Sequence, residues 1–268
     1  MKQKYPVIFV GAGPGDPELI TVKGQKALAA ADLIVYAGSL VPKALLQWTR
    51  PDARKIDSAS LDLRQIITEI ETACQNGERV VRLHTGDPSL YGAIYEQIAE
   101  LRKRDISAEV IPGVTAAFAA AAAMKMEYTL PEISQTLILT RMAGRTPVPE
   151  SESLEKLAEH QTSMAIYLSV GMVGKVSETL RKSYGKNAPC AVAYRVSHPD
   201  EKIVRTTLDR LDETVRAGGI AKQALIIVGK VLGETPDSLK HKSKLYDKDF
   251  GHGYRSLNID NQSLTIEN

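Results

Sequence analysis

The chain has 268 residues, of which 43% are apolar and 25% are charged. This composition is that of a globular protein of one or two domains, and it excludes a collagen, a coiled coil and a fully disordered chain. The 34 lysines and arginines nearly balance the 32 aspartates and glutamates, so the net charge of +2 provides no general attraction for nucleic acid.

Two features of the chain indicate a soluble cytoplasmic protein. The N-terminus leads into a predicted strand without the pattern of a signal peptide, and no apolar run approaches the roughly 18 residues of a membrane span. Cys74 and Cys190 lie far apart in the sequence, on a predicted helix and at a predicted strand start. We interpret them as buried thiols in a reducing compartment rather than as a disulfide.

Strand and helix patterns alternate over residues 1–125, which is typical of a mostly parallel sheet covered on both faces. The predicted strands are 7–10, 33–36, 55–57, 80–83 and 108–111. The first helix is predicted to begin after Asp16, which is a suitable N-cap and is followed by Pro17 in the first turn. Further helices are predicted near Pro42, at 62–76, from Ser89 onward and at 116–124. The last of these is nearly all alanine, which fits both close packing in the core and close approach of a ligand.

Three loops follow predicted strands of this half. They are GAGPGDP at 11–17, HTGDP at 84–88 and PGVT at 112–115. Ligands of open α/β folds bind at the carboxyl ends of the strands, so we expect these loops to form the binding site. The carboxylate of Asp87 fits either a ligand contact or a cap of its own loop, and the pattern leaves both open.

Residues 128–234 follow a different pattern, which predicts a second domain of mixed α/β structure. The predicted strands are 136–140, 164–168, 191–195, 202–208 and 224–228, and the predicted helices are 154–159, 172–180 and 209–217. The short separation between the third and fourth of these strands predicts an antiparallel pair. We expect domains at 1–127 and 128–234 with a hinge at 128–134, and a polar tail at 235–268 that is disordered rather than a partner-binding arm.

Several common cofactor sites are disfavoured by the residues present. Gly11, Gly13 and Gly15 form a GxGxG, but residue 16 is Asp and the second predicted strand does not end in an acid, which argues against a nicotinamide or flavin site. The sequence has no P-loop and no G-x-S-x-G elbow. The five histidines show no metal-ligand spacing with each other or with the cysteines, so we predict no bound metal.

Four motifs together resemble a known family. GAGPGDPELITVKG, HTGDPSLYGA, IPGVTAA and QALIIVG, in this order and spacing, are similar to those of the tetrapyrrole (corrin/porphyrin) methyltransferases over about residues 5–232. The resemblance implies a two-domain α/β fold with the active site in the cleft between the domains. YAGSLVP, GDPSLYGAIYEQ and TRMAGRTPVPE resemble the branch that methylates carbon 11 of precorrin-4 or cobalt-precorrin-4 in cobalamin synthesis.

The resemblance also implies a donor site. S-adenosylmethionine would lie folded in the cleft and leave as S-adenosylhomocysteine, with no metal required. The residues expected to contact it are Pro14, Thr85, Gly86, Asp87, Leu90, Tyr91, Thr115, Ala116, Leu168, Ala193, Ala224 and Leu225. Backbone groups at strand ends suit this donor, because glycine and alanine allow it to approach closely.

The implied acceptor is a tetrapyrrole that carries many carboxylates, and guanidinium groups suit it. Arg141 and Arg145 are the predicted substrate-binding residues, and Arg82, Arg195 and Lys202 are weaker candidates; a solvated surface charge is the alternative for each. Methyl transfer from a sulfonium requires alignment of donor and acceptor and exclusion of water. The sequence does not identify a base that would remove a proton from the macrocycle, so no catalytic residue is assigned. The resemblance further implies a homodimer.

Three other functions remain as alternatives. Within the family, the methyl group would go to another ring position or to uroporphyrinogen III. A non-catalytic tetrapyrrole-binding protein would keep the fold, although the intact donor loops argue against it. An RNA-modifying methyltransferase with the same fold would carry a basic surface, which the net charge of +2 does not offer.

Overall fold

The computed structural model of this chain describes residues 4–38, 40–235, 237, 243–247 and 250–251. Its N-terminal half contains one five-stranded sheet with all neighbours parallel, in the spatial order β3-β2-β4-β1-β5. The strands are β1 (Val7–Gly11), β2 (Leu33–Tyr36), β3 (Arg54–Asp57), β4 (Val80–His84) and β5 (Ala108–Ile111). The predicted parallel sheet is therefore confirmed.

Four α-helices accompany this sheet. They are α1 (Val22–Ala30), α2 (Leu63–Gln75), α3 (Ile94–Arg102) and α4 (Ala116–Met124). Helix α2 begins with a capping box, in which Asp62 accepts from the backbone of Gln65 and the Gln65 side chain accepts from the backbone of Asp62. Apolar side chains from α1 and α2 pack on opposite faces of the sheet, which buries both.

Two predicted helix starts are wrong. Asp16 caps only the short 3₁₀ turn Pro17–Leu19, and α1 begins after Thr21, whose hydroxyl accepts from Gly24 N at 3.1 Å. The helix predicted from Ser89 begins at Ile94 instead. Tyr91 and Ala93 take left-handed φ values of 58° and 49°, which an α-helix does not allow.

The C-terminal half contains a second five-stranded sheet, in the order β6-β7-β10-β8-β9. Its first pair is parallel and the other three pairs are antiparallel, so the predicted mixed sheet and the predicted antiparallel hairpin are confirmed. The strands are β6 (Leu137–Arg141), β7 (Ser163–Tyr167), β8 (Pro189–Tyr194), β9 (Lys202–Thr207) and β10 (Ala224–Val228). The helices of this half are α5 (Leu154–Ala158), α6 (Val173–Tyr184) and α7 (Leu211–Ala217).

Short 3₁₀ segments complete the described secondary structure. The helix predicted near Pro42 is one of them, because Lys43–Trp48 forms a 3₁₀ and not an α-helix. The others are Glu150–Glu152, Val170–Met172, Lys230–Gly233 and Lys244–Tyr246.

The alanine-rich helix α4 joins the two halves. Its buried residues, including Ala117 and Ala120, belong to one apolar cluster with Ala165, Ala191 and Ile227 of the second sheet. Small side chains on both surfaces let the helix approach the sheet closely. Of the two interpretations of this helix, close packing in the core is therefore observed.

The segment predicted as a hinge is tied to both halves. The Tyr128 hydroxyl donates to Ala117 O at 2.8 Å, and Ser163 Oγ donates to Tyr128 O at 2.7 Å. Burial raises the pKa of Tyr128, so its hydroxyl stays protonated. The division at residue 127 and the hinge stay predictions.

Three further sequence expectations concern the thiols, the tail and membrane spans. Cys74 and Cys190 do not pair as a disulfide. Cys190 is buried, which raises its pKa to about 12, whereas Cys74 is only half-buried, so the prediction of a buried thiol is wrong for Cys74. The predicted disordered tail at 235–268 lies mostly outside the described residues. None of the helices in the described ranges is long and apolar enough to span a bilayer.

Candidate active site

The loops after β1 and β4 meet at the carboxyl edge of the parallel sheet. Gly13 and Gly86 form an antiparallel bridge, with Gly13 N donating to Gly86 O at 3.2 Å and Gly86 N donating to Gly13 O at 2.8 Å. Ala12 N also donates to His84 O at 2.7 Å. The first two predicted donor loops are thus joined through their backbones.

Glycines bring the third loop equally close. A Cβ on Gly11 would lie 2.6 Å from Gly113 Cα, and a Cβ on Gly113 would collide with Gly86 O. Contacts of this kind leave no room for any side chain, so these positions require glycine. The three loops therefore form one continuous backbone surface.

The carboxylate of Asp87 links the second loop to the third. Its Oδ1 accepts from Ser89 N and its Oδ2 accepts from Gly113 N, both at 2.8 Å. Both oxygens therefore bind backbone N–H groups of the protein itself. The structure gives Asp87 a role in building the site, and its direct contact with a donor stays a prediction.

Tyr167, at the end of β7, connects the third loop to the second sheet. Its hydroxyl lies 2.7 Å from Thr115 Oγ1 and accepts from Ala117 N at 2.9 Å. The Tyr91 ring stands 5.6 Å from the Tyr167 ring. Burial raises the pKa of both tyrosines, which keeps both hydroxyls protonated at neutral pH. Sequence reasoning did not identify Tyr167.

Two predicted contact residues present apolar side chains to solvent at this place. Leu168 is 68% exposed and Tyr91 is 43% exposed. Both take left-handed backbone conformations, with φ of 54° and 58°. Such values cost energy in residues other than glycine, and strained residues of this kind cluster at functional sites.

The remaining predicted donor contacts differ in exposure. Two of them are buried, Thr115 and Pro14. Four are half-buried: Thr85, Leu90, Ala116 and Ala224. Ala193 and Leu225 lie opposite each other on β8 and β10 and are 1% and 3% exposed, packed in the cluster that includes α4. These two residues line the packed wall behind the cleft rather than its open surface.

The turn between β8 and β9, residues 195–201, covers the first loop. Ser197 Oγ accepts from Asp16 N at 2.9 Å, and the His198 ring occupies the space that a Cβ on Gly15 would need. We call these residues the clasp turn. The short separation of the two strands predicted only a hairpin connection, and the contact of this turn with the first loop was not foreseen.

The predicted substrate-binding arginines have different surroundings. The Arg141 guanidinium donates to Thr146 O at 3.1 Å and to Pro147 O at 2.6 Å, so it holds its own loop together. Arg145 is exposed in that loop. Burial raises the pKa of Tyr91, and the nearby charge of Arg141 acts in the opposite direction.

The weaker candidates include one buried cation. Arg82 is 5% exposed and donates to Gln97 Oε1 at 3.0 Å and to Val35 O at 3.1 Å. Burial lowers its pKa to about 10. Arg195 is bound within the clasp turn, whereas Lys202 is exposed on β9. Arg82 is therefore buried beneath the site, where its guanidinium binds Gln97 and the backbone of Val35.

His84 lies behind the second loop rather than in the cleft. Its ring stacks on Phe9 at 5.7 Å, and burial, with a smaller effect of Arg82, lowers its pKa to about 3. The imidazole is therefore neutral at physiological pH, and its Nε2 is buried without a hydrogen bond to the described residues. Within the described ranges, no three histidine, cysteine or carboxylate side chains group as metal ligands.

The fold and the cleft define a class of α/β protein in which strand-end loops of a parallel sheet face the ends of a mixed sheet. A sequence profile of the tetrapyrrole (corrin/porphyrin) methylases matches residues 6–212. This match spans most of the chain, and the chain belongs to that family. The family and the fold class that the motifs predicted are therefore confirmed.

Three relatives show how far the similarity extends. The chain is 54% identical to a cobalt-precorrin-4 C(11)-methyltransferase of Methanocaldococcus jannaschii, over 95% of this chain and 98% of the relative. A solved structure of a cobalamin biosynthetic enzyme, cobalt precorrin-4 methyltransferase, superposes with a TM-score of 0.83 at 44% identity, over 86% of this chain and 96% of the other. The uroporphyrin-III C-methyltransferase of Thermus thermophilus, solved in complex with S-adenosylhomocysteine, gives a TM-score of 0.70 at 26% identity over 87% and 97%.

Proposed function

We propose that this chain is an S-adenosylmethionine-dependent methyltransferase that methylates carbon 11 of precorrin-4 or cobalt-precorrin-4 in cobalamin biosynthesis. The 54% identity to an enzyme of that name, over nearly the whole of both chains, supports this substrate class. The observation that carries the proposal is the meeting of three glycine loops opposite Tyr167 and Leu168. We infer that the donor binds where these loops meet Tyr167 and Leu168.

The residues present fit an adenosyl donor. Gly86 keeps open space in front of the joined loops, because a Cβ there would meet nothing closer than Thr115 Cα at 3.8 Å. The Tyr91 ring stands 5.6 Å from the Tyr167 ring, and Leu168 follows Tyr167 in the chain, so their exposed side chains offer apolar surface near the third loop to an adenine or a ribose. S-adenosylmethionine supplies a methyl group that its sulfonium already activates. The protein contributes by aligning donor and acceptor and by excluding water.

The acceptor side of the proposal rests on the loop that follows β6. Arg145 is exposed there, and Arg141 holds the loop by donating to Thr146 O and Pro147 O. We propose that Arg145 binds a substrate carboxylate directly, because a guanidinium can donate two parallel hydrogen bonds to it. Arg141 would act by positioning this loop.

Methyl-labelled S-adenosylmethionine and a panel of tetrapyrroles test the proposal. The panel contains uroporphyrinogen III and precorrin-3-type and precorrin-4-type intermediates, each of the latter with and without cobalt. We expect label at carbon 11 of a precorrin-4-type substrate, located by NMR. Label on uroporphyrinogen III or at another carbon would contradict the proposed regiochemistry, and binding of tetrapyrrole without any transfer would favour a non-catalytic binding protein.

Two glycine variants test the donor cradle with a matched control. Gly86 and Gly77 both have positive φ, 61° and 75°, and both have room for a Cβ. Gly86→Ala and Gly77→Ala therefore carry a similar backbone cost of about 1 kcal/mol, but Gly77 lies in the turn after α2. We expect only Gly86→Ala to weaken donor binding in calorimetry. Equal donor affinity of the two variants would contradict the proposed site.

We further propose a cytoplasmic homodimer. The edge strand β5 exposes Val110, and the neighbouring α3 exposes Tyr95, at 41% and 90%. Apolar surface at a sheet edge supports association with a second copy of the chain. Sedimentation equilibrium should report a dimer that Val110→Lys weakens. A monomer at micromolar concentration would contradict the proposal.

A further inference from the structure

The clasp turn connects the second sheet to the first donor loop by polar contacts. Asp16 N donates to Ser197 Oγ at 2.9 Å, although the two residues are 181 positions apart in the sequence. The His198 ring packs directly over Gly15, and an interaction with the backbone of Pro14 acts to raise the pKa of the ring. Since proline has no N–H, this backbone group is the carbonyl of Pro14. The turn thus contacts three consecutive residues of the loop.

The surroundings of His198 determine which of its nitrogens donates. Arg195 Nη2 lies 3.3 Å from His198 Nδ1, and a guanidinium can only donate. Nδ1 therefore accepts, and the ring proton is on Nε2. Nε2–H is then the ring group that is available to donate to the Pro14 carbonyl. Burial and the charge of Arg195 both lower the pKa of His198, which favours this neutral form.

Hydrogen bonds within the clasp turn and to Gln223 fix Arg195 and Ser197. Arg195 Nε donates to Asp200 Oδ1 at 2.7 Å and Arg195 Nη1 donates to Gln223 Oε1 at 2.8 Å. Ser197 N donates to Glu201 Oε2 at 2.6 Å. Arg195 and Ser197 have φ of 46° and 63°, which is the left-handed region that is unfavourable for residues other than glycine. These hydrogen bonds stabilise both residues in this conformation.

We propose that His198 and Ser197 are positioning residues that hold residues 14–16 of the first loop in the conformation that binds the methyl donor. The clasp turn makes this binding surface depend on both sheets, because the loop belongs to the first and the turn to the second. The proposal rests on the donor site put forward above. His198 acts through the Pro14 carbonyl and does not itself touch the reacting atoms.

Calorimetry and steady-state kinetics on the full chain test this proposal. We expect His198→Ala to weaken S-adenosylmethionine binding on the order of tenfold, about the effect of one well-placed hydrogen bond. The KM for the donor should rise by the same factor, while kcat at saturating donor changes little. Ser197→Ala should give a smaller effect of the same kind. His160→Ala, at an exposed histidine after α5, is the matched control and should bind donor as the unaltered chain does.

His198→Gln separates the hydrogen bond from mere packing. The glutamine side chain retains an N–H that reaches the Pro14 carbonyl, so we expect it to recover most of the donor affinity. A His198→Ala variant that binds donor as well as His160→Ala would overturn the proposal, and so would a glutamine variant as weak as the alanine variant. Failure of the unaltered chain to bind S-adenosylmethionine would instead refute the proposed function.

Discussion

The two halves of the molecule contribute to the same cleft in opposite ways. The parallel sheet provides backbone: Gly11 and Gly113 lie so close to each other and to Gly86 O that neither can carry a side chain. The mixed sheet provides side chains, with Tyr167 bonded to the third loop and Leu168 exposed beside it. The site therefore depends on close backbone contacts in the first half and on side-chain contacts in the second half. Substitutions should consequently have different effects in the two halves.

The largest effect is expected where the backbone of the first half is closest. Gly113→Ala would drive a methyl group into Gly86 O, so the three loops must separate. We expect a loss of about 3 kcal/mol or more in the free energy of unfolding, measured by urea denaturation. Gly171→Ala is the control, because its Cβ would meet nothing closer than Ala221 O at 3.9 Å. Equal stability of the two variants would contradict the close contact.

The buried histidine of the first half makes stability depend on pH. The pKa of His84 is lowered from 6.5 to about 3, so its contribution is complete above pH 6.5 and is lost as the pH falls toward 3. Between pH 6.5 and 4.5 this amounts to roughly 2–3 kcal/mol.

A variant that does not titrate checks this pH dependence. His84→Phe, which can still stack on Phe9, should unfold with a shallower pH dependence over this range than the unaltered chain. His160→Phe, at an exposed position, should keep the original slope. An unchanged slope in His84→Phe would show that other groups cause the acid sensitivity.

Asp87 tests the connection between the second and third loops. Asp87→Asn places an N–H₂ group against one of two backbone N–H donors, Ser89 N or Gly113 N. We expect stability to fall by about 2 kcal/mol and donor affinity to fall with it. Asp105→Asn, in an exposed left-handed turn, should be neutral because asparagine accepts that conformation. If Asp87→Asn changed neither stability nor donor affinity, the Asp87 carboxylate would not connect the two loops as proposed.

The smallest effect is expected on the side of the second sheet. Tyr167→Phe removes the hydroxyl that accepts from Ala117 N, which costs about 1 kcal/mol in the free energy of unfolding. Tyr95→Phe, at a side chain that is 90% exposed, should cost nothing measurable. If Tyr167→Phe were as harmful as Gly113→Ala, the proposed difference between the halves would be wrong.

The sequence predicted the binding loops of the first half better than the contacts that the second half makes with them, for a physical reason. Glycine is required where backbones touch, so the loops at 11–17, 84–88 and 112–115 are visible as motifs. In the second half, left-handed positions are taken by Leu168 and Arg195, residue types that give no local signal. The contact of the clasp turn with Asp16 depends on how the two sheets meet, which no short stretch of sequence specifies. The early helix start at Ser89 was wrong for the same reason, because Tyr91 carries its left-handed conformation without a glycine.

The most direct test of the shared cleft is hydrogen–deuterium exchange with and without S-adenosylhomocysteine. The account predicts slower exchange in both halves at once: in the loops at 11–16, 85–91 and 113–117, and in 167–168 and 195–198 of the second half. Protection confined to the loops of the parallel sheet would contradict a donor site built by both sheets. Protection only at the groove lined by Tyr95 of α3 and Val110 of β5 would place the donor there and contradict the proposed donor site.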